Sequence, residues 1–60
     1  MKIIRIHEVL AIVKISRSLW YQSIRDGDAP RPIKPGPRVS FWIEEEVHAW
    51  LDRKAAERFQ

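Results

Sequence analysis

Sixty residues, 45% hydrophobic and with three Trp, suffice for one small domain with a packed core and leave no room for a second lobe or a deep catalytic cleft. No Cys occurs, which excludes disulfide staples and thiolate metal sites, and two isolated His do not make a metal centre. The net charge of +3 is unevenly divided: residues 1–38 hold eight Lys/Arg against three Asp/Glu, and residues 39–60 hold three against five, so the basic first two-thirds favours a polyanionic partner.

At the start of the chain, Lys2-Ile3-Ile4-Arg5-Ile6 is β-branched but broken by charges too soon for a signal peptide or membrane span. It predicts a short strand or extended lead-in over residues 3–6 and a soluble, cytoplasmic protein. From His7 to Lys14 the apolar residues Val9, Leu10 and Val13 mark one face of a two-turn helix. Lys14-Ile15-Ser16 reads as a tight connection, with Ile15 a buried plug and Ser16 the N-cap of a second helix from about Arg17 to Asp26. Gly27 suits the left-handed end of that helix, and Pro30 forbids its resumption. All four prolines, Pro30, Pro32, Pro35 and Pro37, fall between Ala29 and Ser40 around Gly36, which predicts a small wing with Ile33 paired against Val39 or Phe41. From Glu44 to Arg58 the chain is strongly helical, with Val47, Trp50, Leu51 and Ala55 on the apolar face. Its first turn is acidic, and Arg53, Lys54 and Arg58 lie late, as the helix dipole favours; no capping residue stands directly before Glu44. The expected fold is mainly α with a small β wing, a single winged helix-turn-helix domain over residues 1–60 with three helices and a short hairpin.

With Trp20 set at zero on a wheel of about 100° per residue, Ile24 falls near 40° and Ser23 near −60°, an inner face. Ser18, Gln22 and Arg25 lie opposite, Tyr21 on the flank, and Arg17 projects from the first turn. Gln pairs bidentately with adenine and Arg with guanine or phosphate, while Ser, Tyr and a helix N-terminus suit phosphate. The expected recognition-helix set is therefore Ser16, Arg17, Ser18, Tyr21, Gln22 and Arg25, with double-stranded DNA as the partner. The Tyr21 ring serves equally well as a cover for the core edge, its hydroxyl pointing out. Leu19, near −100°, is expected to pack against the first helix or the wing. Arg31, Lys34 and Arg38 either keep a Pro-rich loop solvated or let the wing grip phosphate and the minor groove, and the second reading is preferred. Glu44-Glu45-Glu46 is electrostatic capping, and no nucleophile, base and oxyanion set is present; no enzyme activity, cofactor, metal or small-molecule substrate is expected.

The residues resemble the AlpA-type regulators of prophages and other mobile elements, within the broader excisionase and MerR-like winged-helix group. The resemblance runs nearly end to end. It rests on Ile6 to Leu10 opening the first helix, Ser16-Arg17-Ser18 followed by Tyr21, then Ile24 and Gly27, on Pro30-Arg31-Pro32-Ile33-Lys34, and on Trp42 with Glu46-Val47-His48-Ala49-Trp50-Leu51. Four places depart from that pattern: Lys14 stands where Gly is usual, Leu19-Trp20 replace Thr followed by Leu or Ile, Gln22 replaces a basic residue, and Ala29 a larger apolar one. Trp20 can fill the space that Ala29 leaves.

The resemblance implies a sequence-specific DNA binder in a bacterial or phage-infected cell, associated with the nucleoid. It either regulates transcription, for example of an integrase gene, or acts as an excisionase directing recombination. It also implies self-association on repeated sites, with the last helix or Phe59 as a contact. A reading of a different class is a protein-interaction module for an integrase or polymerase subunit; an RNA-binding reading lacks the aromatics expected on an exposed sheet.

Overall fold

The computed structural model describes residues 2–57, in the order β1 (Ile3–Ile4), α1 (Ile6–Val13), α2 (Arg17–Arg25), β2 (Ile33–Gly36), β3 (Val39–Ile43) and α3 (Glu44–Glu57). Three helices and an antiparallel hairpin form a winged helix-turn-helix, as the residue pattern predicts. Arg58 and Phe59 lie outside the described residues.

Each helix end has a local cause. Helix α1 begins one residue earlier than its apolar spacing suggests because the Glu8 carboxylate accepts the Arg5 N–H at 3.2 Å, closing the first turn. That cap also shortens the expected strand to Ile3–Ile4. At the other end Lys14 takes φ 57° and ψ 35°, the left-handed conformation, and its N–H donates to the Leu10 carbonyl at 2.9 Å. A non-glycine residue there costs about 1–2 kcal/mol, and the sharp turn into α2 requires it. Ser16 caps α2, its Oγ accepting the Leu19 N–H at 3.1 Å. After Arg25 the chain turns at Gly27, φ 80°, and the Asp28 N–H reaches back to the Ser23 carbonyl at 2.9 Å.

The strands form one antiparallel sheet in the order β1-β3-β2. Ile33 faces Phe41, as expected, and Val39 faces Gly36; three steps along β2 are matched by two along β3, a bulge of one residue at the stretch containing Pro35, which has no N–H for the ladder. The pairing of β1 with β3, Ile3 opposite Ile43 and Ile4 opposite Trp42, was not legible in so short an apolar run. It supplies what α3 lacks. With no capping side chain before it, the Glu44 N–H donates to the Lys2 carbonyl at 2.8 Å.

Alternation along the strands sends Ile4 and Trp42, both fully buried, toward the helices. On the opposite face stand Ile3, Ile33, Phe41 and Ile43, with the Arg5 guanidinium 5.1 Å from the Phe41 ring centroid. The buried core comprises Ile4, Val9, Val13, Trp20, Ala29, Trp42, Val47 and Trp50. Trp20 sits edge-on to both other indoles, 6.2 Å from Trp42 and 5.2 Å from Trp50 between ring centroids. Ala29, whose side chain is a single methyl group, is buried in the same core. Ile15 is half-buried and packs against this core. Two expectations fail: Leu19 is 47% exposed instead of packing on α1 or the wing, and Ala55 is exposed because every described residue after Lys54 runs past the core.

Lys14→Gly removes the left-handed strain but leaves a looser unfolded chain, so a net gain of about 0.5–1 kcal/mol is expected in urea unfolding. A decrease would mean that the Lys14 side chain contributes more than its backbone costs. Trp20→Ala is expected to lose about 3–5 kcal/mol, enough to leave the chain largely unfolded by circular dichroism at 25 °C; an intact melt would contradict the central packing of this indole.

Candidate nucleic-acid interface

Helix α2 is seated by its inner face. Trp20 is buried, Ile24 is half-buried against the core, and the half-buried Tyr21 ring lies 6.2 Å from Trp42. Of the two readings of Tyr21, the ring therefore covers the core edge. Ser16, Arg17, Ser18, Gln22 and Arg25 are all exposed. The Ser16 oxygen is committed to the cap, which leaves its O–H as a donor. Arg17, Ser18, Gln22 and Arg25 have no side-chain hydrogen bond or ion pair among the described residues.

In the wing, Arg31 precedes β2, Lys34 lies on it, and Arg38 follows Pro37 in the two-residue turn to β3; all three are exposed. None has an ion pair among the described residues. The two groups of cations occupy separate elements, α2 and the hairpin, joined by the connector Asp26–Pro32.

That connector is the part of the site that sequence reasoning missed. The Trp50 indole N–H donates to Asp28 Oδ2 at 3.3 Å, and the Trp42 indole N–H to the Pro30 carbonyl at 3.2 Å. Arg53 Nη2 donates to the Asp28 carbonyl at 2.8 Å and to Oδ1 at 3.0 Å, and Lys54 Nζ lies 2.7 Å from Oδ2. Trp50, Arg53 and Lys54 fall at i, i+3 and i+4 and so share one helix face, a spacing that signals a common partner without naming it. The hydrogen bond from Lys54 chiefly holds the Asp28 carboxyl below its usual range, helped by Trp50 and the nearby Arg53 charge; Asp28 in turn raises Lys54. Hydrogen bonds from its own N–H and the Lys2 N–H likewise lower Glu45. A shallow concavity beside this latch is lined by Ala29, Pro30, Glu46, Ala49 and Trp50 along with Asp28 and Arg53.

Ion pairs among the described residues include Lys2 with Glu44 and those of the group Asp28, Arg53, Lys54 and Glu57. The side chains of Arg5, Lys14, Arg17, Arg25, Arg31, Lys34 and Arg38 have no ion pair there. Arg53 and Lys54 of α3 are thus engaged by Asp28 and Glu57, whereas the cations of α2 and the wing have no such pair among the described residues. His7 and His48 are exposed on separate helices, and among the described residues no group of three or more His, Cys, Asp or Glu is placed to hold a metal ion. No described helix is long and apolar enough to cross a membrane.

The family model of the prophage CP4-57 regulatory protein AlpA matches residues 2–55. This chain belongs to the AlpA family. The match spans α1, α2, the wing and most of α3, so it covers both cation groups and the latch between them. The uncharacterized ORF88 protein of Enterobacteria phage P4 is 33% identical over 57 residues, which are 95% of this chain and 65% of that protein. The chain therefore spans just under two-thirds of the length of that curated relative. No solved structure matches. The family is described by a regulatory protein of prophage CP4-57.

Asp28→Asn tests the latch. The ionised Asp28 stabilises the fold above its ordinary pKa of 3.8, and that contribution is lost as pH falls through the lower value it has when folded. Thermal midpoints measured from pH 7 down to pH 2 are expected to be lower for the variant at neutral pH and to converge on the wild type in acid, Glu45 retaining part of the acid dependence. Parallel curves would show that Asp28 carries no charge-dependent stability.

Proposed function

We propose that this AlpA-family chain is a sequence-specific double-stranded DNA-binding regulator of a prophage or mobile element, acting in the cytoplasm as one winged helix-turn-helix domain and not as an enzyme. The observation that carries the reading is the segregation of charge: among the described residues the cations of α2 and the wing are exposed and have no ion pair, whereas Arg53 and Lys54 of α3 are paired within the fold. Unpaired surface cations are what phosphate contact consumes, and releasing their counterions drives association.

In this reading α2 enters the major groove. Gln22 pairs with adenine, Arg25 with guanine or a phosphate, and Arg17, Ser16 and Ser18 hold phosphates at the helix N-terminus. Tyr21, with its ring on Trp42, has only its hydroxyl to offer. Arg31, Lys34 and Arg38 grip the flanking backbone or minor groove. An excisionase directing recombination would use the same surface on repeated sites, with contacts between neighbouring copies.

A protein-interaction module is the second reading, and the apolar outer face of the sheet favours it: Ile3 is 53% and Ile33 46% exposed, with Phe41 and Ile43 between them. An integrase or polymerase subunit is the kind of partner such a face would meet. Salt separates the two readings. Binding through phosphates weakens steeply with ionic strength, whereas an apolar contact barely responds.

Gel-shift titration against duplexes selected from a random pool tests the proposal. Arg17→Ala and Arg25→Ala are expected to weaken binding and to lower the logarithmic salt slope by about 1 for each phosphate no longer neutralised. Gln22→Ala should relax base preference by about 1–3 kcal/mol at one position. Unchanged binding by all three folded variants would remove α2 as the reading helix.

A further inference from the structure

Among the described residues three large apolar side chains are exposed, and Leu19 is the one that lies on a helix. It belongs to the first turn of α2, one residue from Ser18 and three from Gln22, on the rim of the outward face. Of its surface 47% stays open to water. Both of its backbone groups are nevertheless fixed by side chains: the Ser16 hydroxyl accepts its N–H at 3.1 Å, and the Ser23 hydroxyl donates to its carbonyl at 3.0 Å. The Cα–Cβ bond of Leu19 is therefore held in place relative to Gln22, while the side chain stays 47% exposed.

A major-groove floor offers hydrogen-bonding groups at every base pair and one apolar group, the C5-methyl of thymine. We infer that Leu19 is a specificity-determining residue that packs on a thymine methyl next to the adenine read by Gln22. The inference rests on the proposal that α2 reads duplex DNA. An i, i+3 pair sets the two side chains about 5–6 Å apart, within reach of neighbouring base pairs, so an apolar contact and a bidentate amide contact together select adjacent A·T pairs. Ser18 and Arg25, on the same outward face, remain for phosphate or guanine. An exposed leucine in the first turn of a helix gains nothing from water, and its burial against a methyl group turns that position into a contribution to base choice.

Deoxyuridine differs from thymidine in that methyl group alone. In the selected duplex each thymine is replaced in turn by deoxyuridine, and binding is measured by gel shift for the wild type, Leu19→Ala and Leu19→Met, with circular dichroism confirming the fold of each. One replacement is expected to weaken wild-type binding about fourfold, as for one buried methyl group. Leu19→Ala should be insensitive to that replacement, and Leu19→Met, which keeps apolar reach, should remain sensitive. Binding that ignores every thymine methyl, or a methyl effect that survives in Leu19→Ala, overturns this inference while leaving the DNA reading intact. A wild-type chain that binds no duplex takes both down.

Discussion

The contact of three indoles joins α2 to β3 and to α3. Trp20 from α2 meets Trp42 from β3 and Trp50 from α3 edge to face, and the latter two give their N–H groups to Pro30 and Asp28. The same residues thus build the core and hold the segment that leads from α2 to the wing. Sixty residues bury little apolar surface, and aromatic rings deliver the largest burial per residue. Trp20 pays for its position with a buried N–H that finds no acceptor among the described residues, a penalty of about 1–3 kcal/mol that its packing must exceed.

The connector gives that packing a direction. Asp28 follows Gly27 and draws Arg53 and Lys54 of α3 onto itself, so the acidic and basic ends of α3 are both paired inside the fold, the first with Lys2 and the second with the connector. These are partly exposed pairs, and each is worth little alone. Their larger effect is on the field around the molecule. Helix α3, with five Asp/Glu against two Lys/Arg, is net negative, so the positive charge of the chain is expressed by α2, the wing and their neighbours Arg5 and Lys14.

Much of this was legible in the residues. Ser16, Gly27 and Pro30 mark their boundaries by chemistry that acts within a few residues, and the wheel centred on Trp20 separates the inner from the outer face of α2. The pairing of Ile33 with Phe41 follows from four prolines leaving few positions for a ladder. What was hidden depends on distance along the chain. A two-residue strand has no period to read, so the seam between Ile4 and Trp42, and with it the Lys2 carbonyl that caps α3, could not be seen. Asp28 carries no local sign of partners more than twenty residues away. Leu19 sits at an angle that fits either packing or exposure, and only the fold shows that about half of it stays open to water. Lys14 departs from the AlpA pattern, and the backbone there is left-handed despite the missing glycine.

The proposed function requires that the cations of α2 and of the wing both meet duplex DNA. Titrating the 15N-labelled chain with a duplex and following its amide, arginine and indole N–H resonances tests this most directly. The account predicts shifts concentrated at residues 16–25 and 31–38, with the Trp42 and Trp50 indole signals holding their positions and α3 silent beyond its first turn. Shifts centred on α3, or on Ile3, Phe41 and Ile43, with α2 unmoved, would contradict it.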